Sequence, residues 1–312
     1  MTRGASRMAC SLGVEKSFAR AERTLAEVAG WELDDNTIRR LCHAAAAEAS
    51  GTRERRSTAR AFARAEGDLE LQIDAGKVNT LEGWRDVKVA VFDRRLRGEP
   101  TTAEGWDERD LPAPTVRTVM AAVEEASQFG PRCAGEAKRL QLTAPAEFSV
   151  LGDGAEWIWN LAAAHFPGAE ELLDIWHGAE RLADGAKAAC GAGEEAGRQA
   201  GRGKLRLLAD GYCGVVEWVG ELTATGALGG DGAALGGVLN YFAGHQGRLN
   251  YAPRPRRGQS IGSGLVEGSI KQLLNLRLKQ TGARWRVEHV APLVELGALS
   301  HGPEWQAFWE GN

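Results

Sequence analysis

Three acidic residues lie in sequence contexts that would allow them to share one site. Asp74 ends an alternating run, LELQID, and Asp153 ends an apolar run, FSVLGDG, directly before a helical pattern. Glu267 lies in the first turn of a predicted helix, IGSGLVEGSIKQLL. Carboxylates at the ends of two strands and the start of a distant helix converge only if the strands share a sheet and the helix packs across it.

An acidic cluster of this kind suits divalent cations, because hard cations such as Mg²⁺ take oxygen ligands. Two such ions can stabilise both the attacking and the leaving oxygen of a phosphodiester. The alternative is that each acid is a solvated charge, and a glutamate in a first turn is favoured by the helix dipole in any case. The pattern favours phosphoryl transfer on nucleic acid, with two Mg²⁺ or Mn²⁺ ions held by Asp74, Asp153 and Glu267.

Alternating and apolar runs predict the strands that would position these acids. Residues 68–97 are typical of a two-stranded hairpin, with Leu69, Leu71 and Ile73 alternating with polar residues in its first strand. From 147 to 182 the pattern is strand, helix, strand, helix, which implies a parallel pair and an α/β layer.

Helical spacing covers most of the remaining chain. It predicts helices over 17–29, 36–49, 115–128, 263–283 and 287–299. The first two are separated by Gly30 and fit either a plain helical hairpin or a helix-turn-helix with Arg39 and Arg40 facing outward. Residues 98–113 are typical of a loop, and the Gly- and Ala-rich stretch 185–262 indicates a helical insertion without strands.

The composition is that of an ordinary soluble protein, with 43% apolar and 26% charged residues. No apolar run reaches the roughly 18 residues needed to span a bilayer, and the N-terminus lacks a secretory apolar segment. The five cysteines are scattered singly without a CxxC pair, which predicts reduced thiols, a cytoplasmic protein and no zinc site. The net charge of −4 does not indicate a nucleic-acid binder, so DNA contact would depend on local basic clusters.

Basic residues surround Glu267 in the sequence and occur in the N-terminal helices. The predicted DNA-contacting residues are Arg39, Arg40, Arg256, Arg257, Lys271, Arg277, Lys279 and Arg284. The alternative for each is a solvated helix or loop charge, and Lys271 is also placed to pair with Glu267 four residues earlier. Trp218, in the insertion, is a candidate for stacking on a flipped base, whereas Trp176 fits a core position better.

Three stretches resemble known proteins: IDAGKVNTLEGWRDVKVAVFDRR, VLGDGAEWIWNLAAAHFPGAEELLDIWHGAERL and LNYFAGHQGRLNYAPRPRRGQSIGSGLVEGSIKQLLNLRLKQTGARW. In them the chain resembles DDE transposases of bacterial insertion sequences, specifically the ISKra type, which is related to the Mutator-like group. The resemblance implies an RNase H-like fold with an α-helical insertion before the last acidic helix. It places the family's acids at Asp74, Asp153 and Glu267, and its Asp-x-x-His element at Asp174 and His177.

The resemblance also implies cleavage of DNA ends, transfer of the freed 3′-hydroxyl into target DNA, and a homodimer or larger synaptic complex. The implied division is an N-terminal helical region (1–67), a first part of the catalytic core (68–184), an α-helical insertion (185–262) and the final core helices and tail (263–312). Two alternatives stay open. One is an RNase H-like nuclease without strand transfer, and the other is a truncated, non-catalytic DNA-binding remnant.

Overall fold

A five-stranded mixed sheet with the order β3-β2-β1-β4-β5 lies at the centre of the computed structural model. The model describes residues 1–52, 58–142, 148–224 and 232–310. The strands are β1 (Asp68–Thr80), β2 (Gly83–Arg95), β3 (Val116–Ala122), β4 (Phe148–Gly152) and β5 (Glu170–Leu173). β1 and β2 form an antiparallel hairpin, whereas β1, β4 and β5 run parallel. The predicted hairpin, parallel pair and α/β class are confirmed.

Helices cover both faces of this sheet. They are α1 (Arg3–Glu15), α2 (Phe18–Ala29), α3 (Asp35–Thr52), α4 (Thr58–Arg64), α5 (Ala126–Arg139), α6 (Glu156–His165), α7 (Ile175–Cys190), α8 (Glu194–Ala224), α9 (Gly232–Gly244), α10 (Pro253–Arg256), α11 (Gly264–Ile270), α12 (Val287–Ser300) and α13 (Glu304–Glu310). On one face, Ile73 and Phe92 share a buried cluster with Phe129 of α5. On the other face, Val89 shares a cluster with Val290 of α12. Alternate strand residues therefore enter different layers, as the pleat requires.

The predicted helix over 115–128 is wrong. Residues Val116–Ala122 form β3, which pairs antiparallel with β2, and α5 begins only at Ala126. Residues Thr118–Ala122 are buried throughout because both faces of the sheet are covered. A strand buried on both faces lacks the apolar–polar alternation that identifies a half-exposed strand. The third strand therefore follows the 98–113 loop.

The predicted helix over 263–283 is also longer than the structure allows. α11 continues directly into a π-helical segment, Lys271–Leu276, and the helix then ends. The chain turns back so that Trp285 can pair with the β1–β2 turn. Its N–H donates to the carbonyl of Asn79 at 3.1 Å, and its carbonyl accepts from the N–H of Leu81 at 2.8 Å. This tertiary pairing overrides the local helical spacing.

The N-terminal helices and the C-terminal tail pack on the same side of the sheet as α12. The side chain of Arg3 donates to the carbonyls of Phe308 and Trp309 at 2.6 and 3.0 Å. Both aromatic side chains are buried, so the tail docks against the body of the protein. The α2–α3 pair has the predicted helices, and its role as a plain hairpin or a helix-turn-helix stays a prediction.

Between β5 and α11, the described residues form helices and no strand. α7 runs without interruption across residue 184, so the predicted domain boundary there falls inside a helix. α8 and α9 both pack against α7 and place Leu207 and Phe242 in its buried cluster. Within the described part of the chain, no helix combines the length and hydropathy required to cross a membrane.

Candidate functional site

Three aspartates follow the last paired residues of three adjacent parallel strands. Asp74 lies on β1, Asp153 follows β4 and Asp174 follows β5. The residues directly before them are register partners across the three strands: Ile73, Gly152 and Leu173. The N–H of Asp174 donates to the carbonyl of Gly152 at 2.8 Å, which extends the ladder by one bond. Because neighbouring strands lie about 4.8 Å apart, the three carboxylates form a row across the carboxyl ends of these strands.

The helix that carries Glu267 begins directly over this row. The N–H groups of Leu265 and Val266, at the start of α11, donate to the side-chain oxygen of Gln72 at 3.0 and 3.3 Å. Gln72 lies two residues before Asp74 and therefore projects from the same face of β1. A strand side chain thus satisfies donors that a helix N-terminus normally leaves unpaired, and it fixes α11 against β1.

Replacing Gln72 with leucine is expected to destabilise the protein by about 1–3 kcal/mol, because the N–H of Leu265 would lose its acceptor. The N–H of Val266 would keep its bond to the carbonyl of Ser263 at 3.1 Å. Urea unfolding followed by circular dichroism measures the change. Gln280→Leu is the matched control, since Gln280 is exposed and surface substitutions usually change stability by less than about 0.5 kcal/mol. Equal losses in the two variants would contradict this account of how α11 is held.

A second contact joins α11 to the end of β5. The hydroxyl of Ser263, the residue before α11, donates to Oδ2 of Asp174 at 2.7 Å. Oδ1 of Asp174 accepts from the N–H of Trp176 at 3.0 Å and so caps α7. Ser263 occupies the N-cap position, but its side chain does not bond the α11 backbone. Asp174 therefore fixes the starts of two helices.

Asp174, His177 and Glu267 form a compact group within this arrangement. Each offers one ligand atom, and the three atoms all lie within 4.8 Å of one another. Nε2 of His177 lies 3.5 Å from Oε1 of Glu267. Asp174 is buried, whereas 33% of the His177 side chain and 47% of the Glu267 side chain are exposed. This group could hold a metal ion and remains accessible from solvent.

The predicted trio does not form an equally compact group among the described residues. Its members nevertheless share one electrostatic environment. The pKa of Asp74 is raised to about 6, chiefly by burial and also by the charges of Asp153 and Glu267, whereas the N–H of Ala75 and the charge of His177 lower it. The three predicted acids therefore lie close enough to interact electrostatically, and His177 interacts with the same group.

His177 acts as the counter-charge to these acids. Its pKa is raised to about 9, first by its contact with Glu267 and then by Asp174 and Asp153, against the effect of burial. The same contact lowers the pKa of Glu267. The imidazole is thus protonated near neutral pH when no cation is present. A divalent ion in the same place would compete with this proton.

Tyr241 of α9 contacts Asp153, and Arg181 of α7 contacts Tyr241. The sequence patterns identified neither residue. The hydroxyl of Tyr241 lies 3.4 Å from the carbonyl oxygen of Asp153. Arg181, one helical turn after His177, is exposed and holds its guanidinium carbon 5.1 Å from the centre of the Tyr241 ring. Gly154 has φ +100°, and a Cβ there would lie 2.8 Å from the Tyr241 hydroxyl. The i, i+4 spacing from His177 to Arg181 was the available sequence signal.

Most of the predicted DNA-contacting side chains reach the surface. The exposed ones are Arg40, Arg256, Arg257, Lys271, Lys279 and Arg284, and Arg39 is partly exposed. Arg39 and Arg40 form hydrogen bonds with Asn36 and Thr37 within α3. Their exposure leaves them free to meet a polyanion, and their contact with DNA stays a prediction.

The prediction that Arg277 contacts DNA is wrong for this structure. Its side chain is 2% exposed, and its Nε donates to the carbonyl of Gly13 at 2.8 Å. Its guanidinium lies over the rings of Phe18 and Trp285. Burial lowers its pKa to about 10. Charge and spacing in the sequence did not reveal that the N-terminal helices cover this position.

Two tryptophans also differ from expectation. Trp218, the predicted base-stacking residue, is fully buried, and its Nε1 donates to the carbonyl of Gln199 at 3.0 Å. Trp176, predicted to lie in the core, is 50% exposed. The tryptophan predicted to stack on a base is therefore buried, and the one predicted to lie in the core is half exposed.

No protein-family model matches the chain, and the search of curated proteins gave no match either. The chemistry of the site is therefore argued from its side chains. Carboxylate oxygens are ligands that suit both Mg²⁺ and Mn²⁺. The donor set fits a divalent cation.

Proposed function

We propose that this protein is a metal-dependent polynucleotidyl transferase with an RNase H-like fold, specifically a DDE transposase acting on DNA. The observation that carries the proposal is the row formed by Asp74, Asp153 and Asp174 at one edge of the sheet, with Glu267 held over it by α11. Carboxylates gathered in this way repel one another unless cations neutralise them. Their retention in a solvent-accessible site supports a metal-binding role.

The sheet supports the fold part of the proposal. The order β3-β2-β1-β4-β5, with β2 antiparallel to its neighbours, is compatible with the RNase H-like sheet that the sequence resemblance implies. The helices α8 and α9 lie where that resemblance expects an insertion, between the last strand and the last acidic helix. The same resemblance suggests a homodimer or larger synaptic complex as the acting form.

In this proposal Asp74, Asp153 and Glu267 would hold two Mg²⁺ or Mn²⁺ ions. Such ions supply charge neutralisation at the phosphodiester oxygens and activation of the attacking hydroxyl or water. Asp174 orients the starts of α7 and α11 through its bonds to Trp176 and Ser263.

His177 has a separate part in this mechanism. Its Nε2 restrains the Glu267 carboxylate when the site holds no cation. A cation held by Glu267 would weaken this contact, and the His177 imidazole would then be free to orient a phosphate group.

Exposed basic side chains near the site support DNA as the binding partner of the protein. Lys271, Lys279 and Arg284 are exposed beyond α11, and Arg256 and Arg257 are exposed before it. Arg181 adds an exposed guanidinium beside the acids. Lysine and arginine at such positions bind phosphates without reading sequence, which suits a strand that must cross the acidic site.

A joining assay tests the proposal. A labelled duplex with a free 3′-hydroxyl is incubated with supercoiled plasmid and the protein in Mg²⁺, Mn²⁺ or EDTA. Transfer of label to the plasmid, dependent on the metal, is expected. Nicking without transfer would favour the nuclease alternative. Titration calorimetry with Mn²⁺ gives a second readout, and absence of Mn²⁺ binding even with DNA present would favour a non-catalytic DNA-binding protein.

A further inference from the structure

Trp176 is a large aromatic side chain left half exposed beside the acidic site. It lies on α7 between Asp174 and His177, and its backbone N–H donates to the carboxylate of Asp174 at 3.0 Å. Half of its surface faces solvent. Single exposed apolar side chains are common on protein surfaces, so the groups around Trp176 decide what its ring can bind.

The Trp176 ring is held in place on its inner side. Its centre lies 5.1 Å from that of the buried Trp106, with the planes tilted by 52°. The ammonium of Lys204 lies 5.1 Å from the centres of both rings and is itself fixed by Asp107 at 2.6 Å. Gly262 lies beside the same ring, and a Cβ there would be in van der Waals contact with Nε1 of Trp176 at 3.5 Å. The outer part of the ring is thus presented to solvent without much freedom to move.

We infer that Trp176 is a stacking surface for an unpaired base of the nucleic-acid strand that crosses the acidic cluster. This inference rests on the proposed function, because it requires a phosphodiester at the cluster. An aromatic face accepts any base, and a ring that is already immobilised pays little additional entropy when a base stacks on it. The base must be unpaired, because both faces of a base inside a duplex are covered by its neighbours.

Neighbouring charge supports a nucleic-acid occupant over an apolar peptide. Lys204 lies against the ring, and Arg109 lies over Trp106 with its guanidinium carbon 4.1 Å from the ring centre. Cations on aromatic faces next to a carboxylate site suit a ligand that carries both phosphates and flat rings. An apolar peptide would offer no polar group to the charges of the acidic cluster.

Binding of two single-stranded probes tests the inference. Labelled oligothymidylate and an abasic oligomer of equal length and charge are titrated with the protein in Ca²⁺, and fluorescence anisotropy gives the affinities. Trp176→Ala is expected to weaken binding of oligothymidylate by roughly tenfold and to leave the abasic oligomer unaffected. Trp176→Phe should restore most of the loss, because a phenyl ring also stacks.

Trp84→Ala is the matched control and should bind both probes as the wild type does. Trp84 is 62% exposed but sits by the β1–β2 turn, roughly 17 Å farther along the hairpin than Asp74. Equal affinities for wild type and Trp176→Ala would overturn the inference while leaving the proposed function intact. Equal weakening of both probes would also overturn it, since the loss would not depend on bases. Failure of the wild type to bind either probe, with Mn²⁺ still bound, would count against both.

Discussion

Asp153→Asn is expected to abolish metal-dependent cleavage and joining of DNA, with a loss of about 10³-fold or more. Metal stabilisation of a phosphodiester in the transition state amounts to several kcal/mol, and each 1.36 kcal/mol corresponds to a factor of ten. The substitution removes the carboxylate charge that lies between those of Asp74 and Asp174 in the row. Plasmid nicking and end joining in Mg²⁺ and Mn²⁺ measure the effect.

The fold should survive this change. Oδ1 of Asp153 accepts from the N–H of Ala155 at 2.9 Å, and the side-chain oxygen of asparagine can accept the same bond. The variant should also bind DNA in EDTA at least as well as the wild type, because one negative charge facing the phosphates is gone. Thermal unfolding and anisotropy with a labelled duplex check these two points.

Asp184→Asn provides the control with the same chemical change. Asp184 is exposed on α7, outside the row of aspartates. It should retain full cleavage and the wild-type affinity for Mn²⁺. If Asp153→Asn cleaves DNA as fast as Asp184→Asn, the carboxylate row is not a catalytic metal site, even if the protein binds DNA.

Sequence patterns located the acids because each ends a recognisable element. The alternation before Asp74 and the apolar run before Asp153 identify strands whose ends are visible without any tertiary information. The contribution of Asp174 was less evident, because its place in the row depends on the register of β5 against β4. Register is set by pairing across the sheet, which no local pattern of a four-residue strand reveals.

Burial of charged and aromatic side chains was the part that the sequence did not disclose. Arg277 and Lys279 lie two residues apart in the same basic stretch, yet the first is buried under Phe18 and the second is exposed. Trp218 and Trp176 differ in the same way. In each case tertiary packing decides which side chain is covered. The third strand was missed for a related reason, since layers on both faces remove its alternation.

The Asp74 carboxylate destabilises the metal-free fold, chiefly because it is buried and also because Asp153 and Glu267 carry the same charge nearby. Its pKa in the folded protein is about 6, above the ordinary value of 3.8. The folded state therefore binds this proton more tightly than the unfolded state, so stability falls as pH rises from about 4 to 6 and is constant above that. At pH 7.5 the penalty amounts to at most about 3 kcal/mol, since each pKa unit corresponds to 1.36 kcal/mol.

Asp74→Asn in EDTA should therefore be more stable than the wild type at pH 7.5, by up to about 3 kcal/mol. The two proteins should converge as the pH falls through 6 towards 4, because Asp74 then gains its proton. Asparagine keeps an oxygen for the N–H of Ala75, which Asp74 accepts at 2.6 Å. Urea unfolding at several pH values measures the difference, and Asp86→Asn, on the exposed start of β2, should change stability little at any pH.

Addition of Mn²⁺ should reverse this order at pH 7.5. A ligand present at one thousand times its dissociation constant stabilises the folded state by about 4.1 kcal/mol, which exceeds the penalty of at most about 3 kcal/mol. The wild type should gain this stabilisation, whereas Asp74→Asn should not. A variant less stable than the wild type in EDTA at pH 7.5, or a difference that does not depend on pH, would mean that the ionised Asp74 carboxylate does not destabilise the fold. A bound cation would neutralise the same carboxylate that destabilises the protein in EDTA. The stability in EDTA and the affinity for Mn²⁺ therefore both depend on the charge of Asp74.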